Sequence, residues 1–128
     1  MESSTIVRAL GALAQETRLA IFRLLVEHGP AGLPVGRIGD ALGLAPATLS
    51  FHLKELAQAG LVMSRPDGRY IYYRTDFGAI SEVITYLTEN CCSAAGACDA
   101  SCALPDRAEP AGVFARGKPT IHPKWRFA

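Results

Sequence analysis

Four cysteines fall within a twelve-residue stretch of this 128-residue chain: Cys91, Cys92, Cys98 and Cys102. Thiolates are soft ligands, and the cluster has no neighbouring His and no carboxylate-rich shell, so it favours a soft metal or metalloid. Adjacent side chains in an α-helix diverge by about 100°, so Cys91 and Cys92 can face one ion only where the helix has ended. Asn90 tolerates the left-handed conformation that ends helices, which allows the two sulfurs to converge.

The number of sulfurs distinguishes the possible ions. Three thiolates suit the pyramidal coordination of As(III) or Sb(III), whereas four suit tetrahedral Zn(II) or Cd(II). The spacing is not the paired Cys-x2-Cys of a structural zinc site, so we predict Cys91, Cys92 and Cys98 as ligands and Cys102 as an accessory one. Two alternatives stay open: a thiol redox switch, and thiols that are incidental to what the protein does.

Composition limits the class of protein. The chain is 49% apolar, so it can bury one small core. It carries 13 basic and 12 acidic residues, a net charge of +1, so its surface as a whole is not strongly basic. No apolar run approaches the roughly 18 residues needed to cross a bilayer, and no signal peptide begins the chain, so we expect a cytoplasmic protein with reduced thiols and no membrane partner. The sequence contains no glycine-rich phosphate loop and no recognisable arrangement of Ser, His and an acidic residue. It therefore gives no indication of an enzyme.

Hydrophobic periodicity predicts four helices, a β-hairpin and a last helix within residues 1–90. Thr17 is predicted to cap the second helix, and Gly29-Pro30 is predicted to end it. Apolar residues lie nearly all round this helix, which is typical of a helix at the centre of a core. The third helix runs from Val35 to Leu42 and the fourth from Pro46 to about Ala59-Gly60. The hairpin pairs Leu61–Arg65 with Arg69–Arg74 through a Pro66-Asp67-Gly68 turn, and the last helix spans Phe77 to Asn90. A cysteine-rich segment (91–102) and a proline-rich, mobile tail (103–128, net +3) follow.

This order is that of a mainly α winged helix-turn-helix with a small β-hairpin, in which the fourth helix enters a major groove. If Leu49, Leu53 and Leu56 face the core, small and polar residues face outwards near the start of that helix, and an exposed Phe51 can touch a thymine methyl. Basic residues beside it and in the hairpin suit phosphate contacts. The predicted DNA-binding residues are Arg37, Ala47, Thr48, Ser50, Phe51, His52, Lys54, Arg65 and Arg69.

Several runs resemble the ArsR/SmtB-type metalloregulatory repressors: Thr17-Arg18-Leu19, the stretch from Thr48 to Leu56, Ala59-Gly60-Leu61-Val62, and Gly68 to Tyr73. The resemblance implies a homodimer held by the first and last helices, which binds two-fold operator DNA and is released by a metal or metalloid. The apolar stripes of those two helices agree with it.

Two sensor sites familiar in that family are missing. Its arsenic sensors carry Cys-x-Cys-Asp where this chain has Arg37-Ile38-Gly39-Asp40, and its zinc sensors use Asp and His on the last helix, which has no His here. The inducer site is therefore assigned to the cysteine cluster, with arsenite or antimonite as ligand and arsenical resistance as the expected context. A Zn(II)- or Cd(II)-responsive or thiol-redox-responsive repressor of the same fold is the alternative.

Overall fold

The computed structural model describes residues 1–96, in which five α-helices pack around a three-stranded antiparallel sheet. The helices are α1 (Ser3–Leu13), α2 (Glu16–His28), α3 (Val35–Leu42), α4 (Pro46–Gln58) and α5 (Phe77–Thr88). The strands are β1 (Leu33–Pro34), β2 (Val62–Asp67) and β3 (Tyr70–Thr75), in the order β1-β3-β2. The mainly α class with a small hairpin is thus confirmed, whereas the predictions for Cys98, Cys102 and the 103–128 tail lie outside the described residues.

Helix α2 occupies the centre of the core, because it packs against α1, α3, α4 and β3. Ile21 and Leu25 are fully buried there, but Leu19 and Val26 are exposed on the opposite side. Although apolar residues lie nearly all round α2, the neighbouring elements cover only one side of it within the described residues. The cap also differs: α2 begins at Glu16, so Gln15 is the capping residue and its side chain accepts a 2.8 Å hydrogen bond from the Arg18 amide.

The hairpin turn is Gly68-Arg69 and not the expected Pro66-Asp67-Gly68, because β2 continues through Pro66 to Asp67. Pro66 pairs with Ile71 and is tolerated because β2 is an edge strand, where a missing amide donor breaks no ladder on its outer side. Gly68 supplies the positive φ, 61°, that a tight two-residue turn requires.

A third strand, β1, was not anticipated, because its two residues are too few to show a period. Leu33 pairs with Tyr73 and Pro34 with Tyr72, which closes the sheet on the side of α3. The last helix ends at Thr88, two residues earlier than expected, and Asp76 caps its start by accepting a hydrogen bond from the Ala79 amide.

Gly32 precedes β1, and its lack of a side chain allows the backbone to lie close to β3 at this point. Its φ is +70°, and a Cβ placed on it would meet the Tyr73 carbonyl and lie 3.2 Å from the Arg74 Cβ. We therefore expect Gly32→Ala to lower the free energy of unfolding by about 2 kcal/mol, through backbone strain and collision with the sheet. Urea denaturation followed by circular dichroism measures this change.

Gly36→Ala is the matched control, because a Cβ there meets nothing within 4 Å and the residue lies in α3. Its free energy of unfolding should match or exceed that of the unaltered protein. Equal losses in the two variants would contradict the account of Gly32.

Candidate nucleic-acid interface and thiol site

One stripe of leucines sets the rotation of α4. Leu49, Leu53 and Leu56 are all at most 1% exposed, so they anchor the helix in the core. The helical period then directs the residues between them outwards. The residues exposed on the outer side of its first three turns are Ala47, Thr48, Ser50, Phe51 and Lys54.

His52 differs from these neighbours because it is only partly exposed. Its Nδ1 is buried and has no hydrogen-bond partner among the described residues. The Phe51 and His52 rings meet edge to face, with centroids 5.5 Å apart and planes at 63°. Of the α4 residues predicted to contact DNA, His52 is therefore the least accessible, and it supports the ring of Phe51.

The two hairpin arginines have different surroundings. Arg69 lies exposed in the turn itself. The Arg65 guanidinium stacks 4.7 Å from the centroid of the Tyr72 ring and forms a 3.2 Å ion pair with Asp67, so it is held against the hairpin. Arg69 is therefore the more accessible cation of the pair.

Two further arginines flank this surface. Arg37 is exposed on α3, one turn before Asp40. Arg74 is instead partly buried at the base of the hairpin, where it donates to the Met63 sulfur at 3.9 Å. Burial lowers the pKa of Arg74, and the nearby Asp76 carboxylate opposes that shift. Arg74 thus belongs to the junction between the sheet and α5 and adds little to the exposed basic surface.

The cysteine segment begins where α5 has ended. Asn90 adopts the expected left-handed conformation with φ 58°, and Cys92 adopts it as well with φ 62°, which was not anticipated. The Ser93 amide donates to the Asn90 carbonyl at 3.0 Å and the Gly96 amide to the Cys92 carbonyl at 3.1 Å, so the chain folds back on itself. The Cys91 and Cys92 sulfurs consequently lie 3.5 Å apart.

The two thiols are not equivalent. Cys91 is exposed, whereas Cys92 is partly exposed and takes part in a disulfide. Within residues 1–96 no three His, Cys, Asp or Glu side chains converge on a possible metal site. The other two predicted ligands, Cys98 and Cys102, lie outside the described residues.

The outer faces of α1 and α5 are apolar and uncovered in the described part of the chain. Their large exposed side chains are Val7, Leu10, Ile84 and Leu87. The hairpin adds two exposed apolar residues near its tip, Tyr70 and Ile71, which the sequence analysis did not single out. Strand alternation alone gives no signal for them, because the first four residues of β3 place aromatic or apolar side chains on both of its faces. No helix among residues 1–96 is long and apolar enough to cross a membrane.

Helix, turn, helix and hairpin in this arrangement define a winged helix-turn-helix DNA-binding protein. A family model described as a helix-turn-helix domain matches residues 13–65. The solved homodimeric winged helix-turn-helix domain of Mb0332 from Mycobacterium bovis, a possible ArsR-family regulator, is 30% identical, with a TM-score of 0.56 over 66% of this chain and 76% of that one. The chain belongs to the ArsR family of transcriptional regulators, and its relatives are regulators and not enzymes.

Two curated relatives show how varied that family is. The transcriptional activator HlyU of Vibrio cholerae is 32% identical over 72% of this chain and 82% of its own length. The arsenical resistance operon repressor of Escherichia coli K12 is 40% identical over 48% of this chain and 51% of its own. The chain spans about half to two thirds of the length of several curated relatives that it matches.

Asp76 joins the hairpin to α5. Its amide donates to the Leu61 carbonyl at 2.9 Å, and its carboxylate accepts from the Ala79 amide at 3.1 Å. We expect Asp76→Ala to lower the free energy of unfolding by about 1 kcal/mol, because the first turn of α5 loses its cap. Thermal or urea denaturation measures the loss.

Asp76→Asn is the matched control, because Asn caps helices as well as Asp does but carries no charge. It should lose less than half of what the Ala variant loses. Equal losses would mean that the attraction between Asp76 and Arg74, and not the cap, is what stabilises the junction.

Proposed function

We propose that the protein is a transcriptional repressor, which binds a two-fold operator as a homodimer and is released when As(III) or Sb(III) binds its cysteine thiolates. Helix α4 and the hairpin contact the DNA, and α1 and α5 form the dimer interface. Cys91, Cys92 and Cys98 are the ligands, with Cys102 accessory. The observation that carries the inducer assignment is the 3.5 Å separation of the Cys91 and Cys92 sulfurs.

The exposed side of α4 supports the DNA-binding part of this proposal. Its small and hydroxyl side chains allow close approach to base edges, and Lys54 lies one turn after Ser50. Exposed cations at Arg37 and Arg69 flank the helix on α3 and the hairpin, where they are suited to phosphate contacts. The proposed DNA contacts are Arg37, Ala47, Thr48, Ser50, Phe51, His52, Lys54, Arg65 and Arg69, of which His52 and Arg65 are the least accessible.

The uncovered apolar face supports the dimer. Val7, Leu10, Ile84 and Leu87 are between 39% and 67% exposed, and a second copy related by a two-fold axis would cover the same residues on both chains. Two recognition helices in a symmetric dimer read half-sites one DNA turn, about 34 Å, apart. The homodimeric Mb0332 domain supports the same arrangement.

The geometry of the two sulfurs supports a shared ion. Two thiolates that bind one ion at about 2.3 Å, with an angle of 90–110° between the bonds, must lie roughly 3.3–3.8 Å apart. The observed separation of 3.5 Å, in a structure in which Cys92 takes part in a disulfide, falls in that range. A third thiolate from Cys98 would complete a pyramidal As(III) or Sb(III) site, and a fourth from Cys102 would suit Zn(II) or Cd(II) instead. The relative named as an arsenical resistance operon repressor favours the metalloid.

Helix α5 connects inducer binding to DNA release. It carries the cysteine segment at its end, contributes Ile84 and Leu87 to the proposed dimer face, and is joined to the hairpin at Asp76. Drawing the cysteine segment around an ion shifts α5, and the spacing of the two recognition helices changes with it. A coupling free energy of about 1–3 kcal/mol is usual for such linkage.

A thiol redox switch is the second candidate, and the disulfide at Cys92 is the observation that favours it. In that case two thiols lose two protons and two electrons to form the disulfide, and a peroxide accepts them and becomes water. Oxidation, with no metalloid present, would then release the DNA.

The phosphate contacts can be tested through their salt dependence. We expect Lys54→Ala and Arg69→Ala each to weaken operator binding and to reduce the slope of log K against log salt by about 2 for the dimer, because one phosphate contact is lost per half-site. Fluorescence anisotropy at several salt concentrations measures both quantities. Arg23→Ala is the charge-matched control, since Arg23 is exposed on α2 outside the proposed interface. An unchanged slope for Lys54→Ala would contradict the proposed contact between Lys54 and a phosphate.

The thiolate assignment predicts separable functions. The double variant Cys91→Ser, Cys92→Ser should bind operator DNA as the unaltered protein does, because both residues follow α5 and lie outside the buried core. It should no longer release DNA with arsenite under reducing conditions. Cys102→Ser is the matched control and should keep the response. Fluorescence anisotropy of a labelled operator records both steps.

Three outcomes separate the candidates. Loss of DNA binding by the double variant would make these cysteines structural. Release of the unaltered protein by peroxide, with a chelator present and no metalloid, would favour the redox switch. Retention of DNA under that treatment, together with release by arsenite, supports the metalloid site.

A further inference from the structure

The exposed side of α4 lacks most of the side chains that read bases through paired hydrogen bonds. In the major groove Arg or Lys reads guanine in this way, and Asn or Gln reads adenine. Across α4, all of which is described, no arginine or asparagine is present; the one lysine, Lys54, lies in the third turn, and the one glutamine, Gln58, is the last residue. Because the N-terminal residues of a recognition helix are the ones that contact bases, these side chains do not decide the choice of base.

Phe51 is instead the largest side chain that this part of α4 presents. Its side chain is 56% exposed, whereas Leu49 and Leu53, two residues before and after it, are buried. Residues three and four positions apart share a face of a helix, so Thr48 and Ala47 lie beside it. The Thr48 and Ala47 methyl groups and the Phe51 ring therefore form one small apolar strip on the outer face of α4.

The orientation of the ring is supported from within the protein. The ring of His52 meets it edge to face at 5.5 Å between centroids, and His52 is itself partly buried. A ring held in this way loses less conformational freedom on binding than a side chain without a neighbour.

We propose that Phe51 determines operator specificity by reading the C5-methyl of a thymine in the major groove. The methyl group of thymine is the one apolar group that base pairs present there, and Phe, Ala and the Thr methyl are the side chains suited to contact it. Each operator half-site then carries a thymine at a fixed position against Phe51. This inference rests on the proposed operator binding and adds the base that is read.

Deoxyuridine tests the proposal, because an A·U pair keeps every hydrogen bond of A·T and lacks only the methyl. The reduced full-length protein first selects duplexes from a randomised library. Its dissociation constant is then measured by anisotropy on the selected duplex, with each thymine replaced in turn by uracil. At one position per half-site we expect binding to weaken about three- to four-fold, the effect of one buried methyl group.

Variants assign that effect to the residue. Phe51→Ala should bind the thymine duplex more weakly and show a thymine-to-uracil ratio near one at that position. Phe51→Leu, which keeps an apolar side chain, should recover part of the ratio. Lys54→Ala should weaken binding to both duplexes equally and keep the ratio of the unaltered protein.

Two results would overturn the proposal, and they differ in what else they affect. Binding with a ratio near one at every thymine, or the same ratio in the unaltered protein and Phe51→Ala, would overturn the role of Phe51 alone. Selection of no duplex at all would overturn the proposed operator binding together with it.

Discussion

Burial of the Leu49, Leu53 and Leu56 stripe is the constraint on which the rest of the structure depends. The three side chains reach the core that α2 and β2 complete, and their burial fixes the rotation of α4 about its own axis. A change of register by one residue would turn the helix by about 100° and carry Phe51 away from the outer surface. The same packing that stabilises the domain therefore decides which residues lie on the outer side of α4, where the DNA contacts are proposed.

Helix α5 extends this rigid arrangement from the hairpin to the cysteines. It runs for about 18 Å, at 1.5 Å for each of its 12 residues. One end is capped by Asp76, which also bonds to the start of β2 through Leu61, and the other ends just before two left-handed residues, Asn90 and Cys92. Because α5 is continuous between these ends, it is the element through which the proposed inducer site would act on the dimer face and the hairpin.

The periodic parts of the fold could be predicted from the sequence, because their residues repeat over several turns. The leucine stripe of α4, the α3 boundaries and the Gly29 end of α2 are such cases, and the structure confirms them.

The features that the sequence did not predict have local or tertiary causes. Two residues of β1 are too few to show a pattern, and the hairpin turn depends on Pro66 being tolerated at an edge. The exposure of Leu19 and Val26 depends on which neighbours α2 has, which its own sequence does not state. Of the proposed site, the exposed side of α4 and the left-handed Asn90 followed from residue types, whereas the disulfide at Cys92 and the stacking of Arg65 on Tyr72 required the folded chain.

Control of DNA binding by a metalloid on the cysteine thiolates is the core of the proposed function. Its most direct test is fluorescence anisotropy of the fully reduced protein on DNA from upstream of its own coding sequence, titrated in separate experiments with arsenite, antimonite, Zn(II) and Cd(II). We expect release by arsenite and antimonite at near-stoichiometric amounts and retention of DNA with the two divalent ions. Stable binding that none of the four reverses would contradict it, and release by Zn(II) or Cd(II) alone would replace the three-sulfur site with a four-sulfur one.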